Sequence, residues 1–188
     1  MYSPELKPAI ETAKAFGFMS EGEVEALYDL ALRFSVISDP VFVNVGAGAG
    51  TSGLALRAGC PRAKIYTVDC SPDGPLGGLK GERNKFSEYN MELPTQILGE
   101  SHTVAKSWNH GLIDLAFIDD GHTEPYIRGD IEGWFPLVKK ESGVMVFHDY
   151  GHDYWPDVKV VVDEFMGKFT TIIQERYLIA FLLETKHE

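Results

Sequence analysis

The stretch Val41 to Ser52, VFVNVGAGAGTS, constrains this chain more than any other. Val41 to Val45 is short, β-branched and apolar, and reads as a buried strand. Three alternating glycines follow at Gly46, Gly48 and Gly50, and Thr51 to Ala58 reads as the start of a helix. Glycines without Cβ let a ligand approach the main chain, and a helix start offers free N–H groups. A strand, a glycine turn and a helix N-terminus together make a seat for a nucleotide-like ligand.

The rest of the chain repeats the alternation. Pro4 to Phe16 and Val24 to Phe34 read as two amphipathic helices, the second opened by the capping box Ser20-x-x-Glu23. These precede the first strand and are expected to cover one edge or the top of the sheet. Strands are expected at 63–68, 95–98, 114–118 and 144–147, with helices at 82–90, 101–108, 125–139 and 158–166 between or after them. Residues 169–174 and 177–183 close the chain as strands, and the junction Glu175-Arg176 is short enough only for an antiparallel pair. The expected fold is a doubly wound, Rossmann-like α/β sheet of seven strands, mostly parallel, with an antiparallel C-terminal hairpin. One domain is expected over 1–188, with N-terminal helices in 1–38 and a catalytic core in 39–188. The stretch 71–81, with four glycines and two prolines, is expected to be a mobile lid.

Composition excludes several functions. The formal net charge is −11 and no basic run occurs, so no nucleic-acid partner is expected. No apolar run reaches membrane-spanning length, and the first twenty residues carry charges unlike a signal peptide's core. Only two cysteines occur, Cys60 and Cys70, which fits a reducing, cytoplasmic setting.

Polar residues recur where strands end: Gly46–Gly50, Asp69, Gly99-Glu100-Ser101, Asp119–His122 and His148-Asp149. In doubly wound folds, ligands bind at those carboxyl ends. The glycines alone leave two ligands open. Gly48-x-Gly50-x-x-Gly53, with Asp69 about 20 residues on, matches the dinucleotide fingerprint of NAD(P)-linked oxidoreductases. Gly46-x-Gly48-x-Gly50 instead matches the loop of S-adenosylmethionine-dependent enzymes. A cofactor-binding module without catalysis is a third reading.

The later strand ends favour the second. Phe117-Ile118-Asp119-Asp120-Gly121-His122-Thr123, then Asp130 and Trp134, then Gly143 through Phe147-His148-Asp149-Tyr150, resemble a branch of the class I S-adenosylmethionine-dependent methyltransferases. The branch is family-24-like and related to the macrocin-type sugar O-methyltransferases and the cephalosporin-hydroxylase-like proteins. The resemblance spans about residues 41–150. It departs at Asn44, where the family often has an acid, at Glu124-Pro125 and at Glu141-Ser142.

The resemblance implies O-methylation of a sugar or other hydroxyl acceptor of small size, with S-adenosylmethionine as donor. It implies cofactor contacts at Asn44, Gly46, Ala47, Gly48, Thr51, Ser52, Asp69, Cys70, Glu100, Ser101 and Asp119, with Asp69 on the ribose and Glu100-Ser101 near the adenine. His148, Asp119 and His122 are the catalytic candidates. Related enzymes hold a divalent cation at the positions of Asp119, His148 and Asp149. A histidine there suits a transition metal better than Mg²⁺, or else serves as a general base. The base reading of His148 is preferred from sequence. Tyr150, His152, Tyr154 and Trp155 are expected to wall the acceptor site, and Trp108 and Trp134 to belong to the core.

Overall fold

The computed structural model describes residues 2–74 and 77–185. Seven strands form one sheet: β1 (Val41–Val45), β2 (Lys64–Asp69), β3 (Thr95–Leu98), β4 (Leu115–Ile118), β5 (Val144–Phe147), β6 (Phe169–Glu175) and β7 (Leu178–Thr185). Their order is β3-β2-β1-β4-β5-β7-β6. All pairs are parallel except β5–β7 and β6–β7. The order reverses between β1 and β4, so the crevice for a ligand opens between their carboxyl ends. β4 and β5 are buried along their whole length, as strands covered by helices on both faces must be.

The helices are α1 (Lys7–Phe16), α2 (Glu21–Leu32), α3 (Thr51–Gly59), α4 (Gly78–Glu88), α5 (Ser101–Lys106), α6 (Glu124–Trp134) and α7 (Pro156–Met166). The first two do not lie on an edge or across the top. They pack with α3 on one face of the sheet, where Leu27, Leu30 and Leu54 meet Phe42, Leu115 and Val146. Helices α6 and α7 cover the other face, where Ile131, Trp134 and Val162 meet Val43, Ala116 and Met145. Each such side chain contributes roughly 1.5–3 kcal/mol of burial. Trp134 is fully buried, as expected of a core residue.

Helix α6 stops at Trp134, five residues short of the sequence expectation, because Pro136 turns the chain into a 3-10 turn. Helix α4 starts four residues early, inside the stretch expected to be a lid. Its Gly77 has φ +113° and lies so close to the carbonyl of Gly48 that a Cβ would sit 2.6 Å from that oxygen. Gly77 therefore serves a close backbone contact with the first loop, whereas Gly74, on the other side of residues 75 and 76, faces the Ser71 side chain. Pro75 and Leu76 themselves lie outside the described residues. Among the described residues, no helix is long and apolar enough to cross a membrane.

A buried polar chain lies under the glycine loop. Asn44 Nδ2 donates to Thr67 Oγ1 at 3.3 Å, Thr67 Oγ1 donates to Glu82 at 2.8 Å, and Gln96 Nε2 donates to Glu82 at 2.9 Å. Glu82 is fully buried against Gly50 and Gly53. Burial pushes its carboxyl up to about 7, outweighing the bonds from Gln96 and Thr67. The folded protein therefore binds this proton between pH 4.5 and 7 and the unfolded chain does not, so stability falls as pH rises through that window. A shift of this size is worth about 3 kcal/mol. Urea titrations across pH 4.5–8 are expected to show Glu82→Gln losing that slope, whatever its constant offset. An unchanged slope in the variant would assign the loss to other groups.

Candidate active site

The three glycines take conformations that other residues resist. Gly46, Gly48 and Gly50 have φ of +88°, +47° and +90°. Gly46 also faces the backbone of the neighbouring strand end: a Cβ there would lie 2.0 Å from the carbonyl oxygen of Asp119. Backbone conformation and close approach thus both exclude a side chain at the point where β1 ends. Gly50 gives α3 no side-chain cap, which leaves first-turn N–H groups without a side-chain acceptor. Asp69 ties the loop to β2. Its Oδ2 accepts from Ala47 N at 2.8 Å and its Oδ1 from Ser71 N at 2.7 Å. An ionised carboxylate has about four acceptor positions, so two remain.

A cavity of about 360 Å³ opens beside this loop. Gly46, Ala47, Gly48, Thr51 and Ser52 line it, as do Asp119, His122, His148 and Asp149. Asn44, Asp69, Cys70, Glu100 and Ser101 do not line it. Asn44 is buried beneath the loop, and its Oδ1 has no hydrogen-bond partner. Cys70 and Glu100 are exposed beyond the β2 and β3 ends. Ser101 is turned inward, where its Oγ accepts from Trp134 Nε1 at 2.8 Å. Beside it, burial pushes the Asp130 carboxyl up to about 7.

The ends of β4 and β5 are brought side by side by backbone bonds beyond the strands. His148 N donates to Ile118 O at 3.1 Å, and Asp119 N donates to Val45 O at 3.0 Å. Asp149 has φ +56°, an uncommon conformation for a residue with a side chain. It turns its carboxylate to within 2.7 Å of His122 Nε2. That nitrogen makes no in-line hydrogen bond, although it is buried and close to oxygen. One donor atom each from Asp119, His122 and Asp149 falls within a span of 4.8 Å. Among the described residues this group alone has such spacing.

His148 stands behind that trio. Its Nδ1 lies 3.5 Å from Asp119 and 3.4 Å from Asp149, and its Nε2 lies 3.4 Å from Glu23 of α2. Burial works against its charge, but Asp119, Asp149 and Glu23 outweigh it and raise the imidazole to about 12. His148 thus carries its proton at neutral pH and lacks the free lone pair that a general base needs. For His122, burial is likewise outweighed by Asp119 and Asp149, and its pKa is raised to about 9. Burial disfavours charge on Asp149 too, but His122 and His148 pull its carboxyl well below the usual range.

Residues of two turns line the cavity and went unread in the sequence. Phe18 and Met19 come from the α1–α2 turn, and Arg176 and Tyr177 from the β6–β7 turn. Glu23 was legible only as a cap. It is that, with Ser20 N donating to its Oε2 at 2.7 Å, but its Oε1 accepts from Tyr177 N at 2.9 Å. The expected aromatic wall is partly realised. Trp155 stacks on His122 at 4.7 Å and His152 packs on Tyr177 at 4.5 Å. Tyr150 instead turns inward and donates to Asp163. Tyr154 is largely exposed and does not line the cavity.

A family model described as a methyltransferase domain matches residues 43–150, more than half of the chain. The chain belongs to this methyltransferase-domain family. The matched residues run from within β1 past the end of β5 and include the glycine loop and Asp119, His122, His148 and Asp149. Solved structures agree in fold. A protein of Corynebacterium glutamicum superposes with a TM-score of 0.76 at 15% identity, over 100% of this chain and 93% of that one. The S-adenosylhomocysteine-bound Podospora anserina methyltransferase PaMTH1 gives 0.68 at 17% identity, over 99% and 89%. The O-methyltransferase TomG of Streptomyces achromogenes, solved with S-adenosylmethionine, gives 0.68 at 14% identity, over 97% and 91%. The resemblance to class I methyltransferases drawn from sequence motifs is met by the family match and by this fold.

Proposed function

We propose that this methyltransferase-family protein moves a methyl group from S-adenosylmethionine to a hydroxyl of a small-molecule acceptor. The observation that carries the reading is that the glycine loop and the Asp119–His122–Asp149 cluster line one and the same cavity. Donor and acceptor can therefore meet within it. S-adenosylmethionine supplies the electrophile: the acceptor oxygen bonds to the methyl carbon, and the C–S electron pair stays with sulfur in S-adenosylhomocysteine.

The chain's own work is to bind and align. Gly46, Ala47, Gly48, Thr51 and Ser52 receive the amino acid end of the donor on backbone N–H groups. Asp69 receives the ribose hydroxyls on its two remaining acceptor positions. Asn44 acts from below as support. Cys70, Glu100 and Ser101 lie on the adenine side, with Ser101 acting through the Trp134 contact rather than directly. Holding two reactants in line accounts for much of such a rate enhancement.

Asp119, His122 and Asp149 fit a divalent cation. The off-axis, unbonded Nε2 of His122 beside two carboxylates is the arrangement a shared ion would satisfy. His148 is not a ligand in this reading, since it lies outside the group of donor atoms that come within 4.8 Å of one another. A cation there would supply Lewis acidity toward a hydroxyl. His148 keeps its proton and holds Asp119 and Asp149 ionised. The acceptor's proton leaves to water in the open cavity. Helix α2 contributes Glu23 to this arrangement, so residues 1–38 act with 39–188 as one unit. The scarcity of cysteine keeps the cytoplasm as the compartment.

Calorimetry is expected to show S-adenosylhomocysteine binding and NAD⁺ not binding. Asp69→Ala should weaken the former by about 1.5–3 kcal/mol, the scale of hydrogen bonds to a charged group. Binding of NAD⁺ alone would overturn the proposal.

A further inference from the structure

Arg176 is the one arginine or lysine among the described residues that line the cavity. It sits at the tip of the β6–β7 hairpin with φ +49°, its guanidinium 4.9 Å from the centre of the Tyr177 ring. Among the described residues no carboxylate pairs with it, although the chain carries 28 acids against 17 Lys and Arg. Its backbone neighbour Tyr177 is fixed by the bond from its N–H to buried Glu23 and by its carbonyl, which accepts from Tyr150 N at 2.9 Å. Unlike the imidazoles of His122 and His148, this guanidinium on an anchored turn at the cavity rim has no carboxylate partner among the described residues and is free to meet a ligand.

The sheet order says which ligand it faces. From β1, which bears the glycine loop, to β7, beside Arg176, the sheet crosses β4 and β5. Three strand spacings amount to about 14 Å. The amino acid end of a donor on the glycine loop is held at β1, so Arg176 belongs to the far side, with His152, Trp155 and Tyr177. Deeper in, Asp119 and Asp149 already have His122 and His148 as counter-charges, so the unpaired charge among the described lining residues lies at the rim. A ligand suited to both ends has its hydroxyl at the Asp119–Asp149 end and its negative charge at the rim.

Resting on the methyl-transfer reading above, we propose that the acceptor is a hydroxy acid or hydroxylated phosphate ester whose anionic group is bound by Arg176 at the cavity mouth. A planar guanidinium suits carboxylate and phosphate oxygens alike, through paired N–H donors. Tyr177 and Trp155 also line the cavity and offer aromatic surface for a ring or a sugar.

The test uses the full chain saturated with S-adenosylhomocysteine and matched ligand pairs: 4-hydroxybenzoate against 4-hydroxybenzamide, glucuronate against glucose, and glucose 6-phosphate against glucose. Calorimetry is expected to show the anion favoured about tenfold or more in at least one pair. Which pair responds separates carboxylate from phosphate. Arg176→Gln should bring that pair to parity and Arg176→Lys should keep part of the preference, both with unchanged affinity for S-adenosylhomocysteine. Parity in every pair for the natural chain overturns the proposal, as does a preference that survives Arg176→Gln. A loss of S-adenosylhomocysteine binding in Arg176→Gln overturns it by assigning the arginine to the donor. Failure of the natural chain to bind S-adenosylhomocysteine is a separate result, and it removes the methyl-transfer reading itself.

Discussion

Dialysis against a chelator is expected to lower methyl transfer by about 10²-fold or more, several kcal/mol of transition-state stabilisation. Mn²⁺ or Co²⁺ should restore it better than Mg²⁺. The reason lies in the donor set. Two carboxylates, Asp119 and Asp149, would bind any hard cation, but His122 adds an imidazole, which favours the later first-row metals. His122→Ala is therefore expected to reverse the order in favour of Mg²⁺, while Asp149→Asn should abolish binding of all three. Titration with Mn²⁺ followed by its paramagnetic signal reads this without any acceptor. His148→Gln provides the contrast. Because His148 stands behind the trio, its variant should retain Mn²⁺ with reduced affinity. Chelator-insensitive turnover, with no Mn²⁺ bound to the natural chain, would return the cluster to a metal-free role. Turnover lost only in the His148 variant would restore the base mechanism that the sequence favoured.

The first half of the site was legible because it is local. Strand, glycine turn and helix start are contiguous, and the three glycines need left-handed backbone whatever surrounds them. The strand ends were legible too, because period and apolar runs mark where β4 and β5 stop before Asp119 and His148. The division of labour among their polar residues was not. His148 and Asp149 are adjacent and would point to opposite faces if the strand continued, yet their side chains lie 3.4 Å apart. Asp149 moreover takes a left-handed conformation that no local pattern announces. The wall was misjudged for a similar reason. Tyr150 follows the motif, yet its hydroxyl is drawn to Asp163 and Lys159 on α7. Arg176 could be placed at a hairpin tip, but only the order β5-β7-β6 puts that tip beside the cavity. Ser101 was read as a contact near the adenine, but its hydroxyl accepts from Trp134, 33 residues away.

Glu23 shows the limit most sharply, and replacing it carries the second large expected effect. Its cap with Ser20 is fully explained by residues three apart, so nothing in the sequence asks for a further role. The same carboxylate meets Tyr177 across 154 residues and lies beside His148. Burial disfavours its charge, yet His148 and the Ser20 bonds hold its carboxyl below the usual range. Glu23→Ala would leave the N–H groups of Ser20 and Tyr177 without acceptors and remove one of the three anions around His148. Breaking a buried ion pair on one side typically costs 3–5 kcal/mol, and the expected loss of unfolding free energy is of that order. Glu23→Gln is the more telling variant. Its amide oxygen can still accept from Tyr177 N, so the hairpin should stay in place and the stability loss should be smaller. It cannot balance the charge on His148, whose ring should then titrate at lower pH, as its NMR shifts against pH would record. If Glu23→Gln leaves that titration where it was, Asp119 and Asp149 alone hold the imidazolium, and Glu23 serves only as a cap and a strut for the β6–β7 turn.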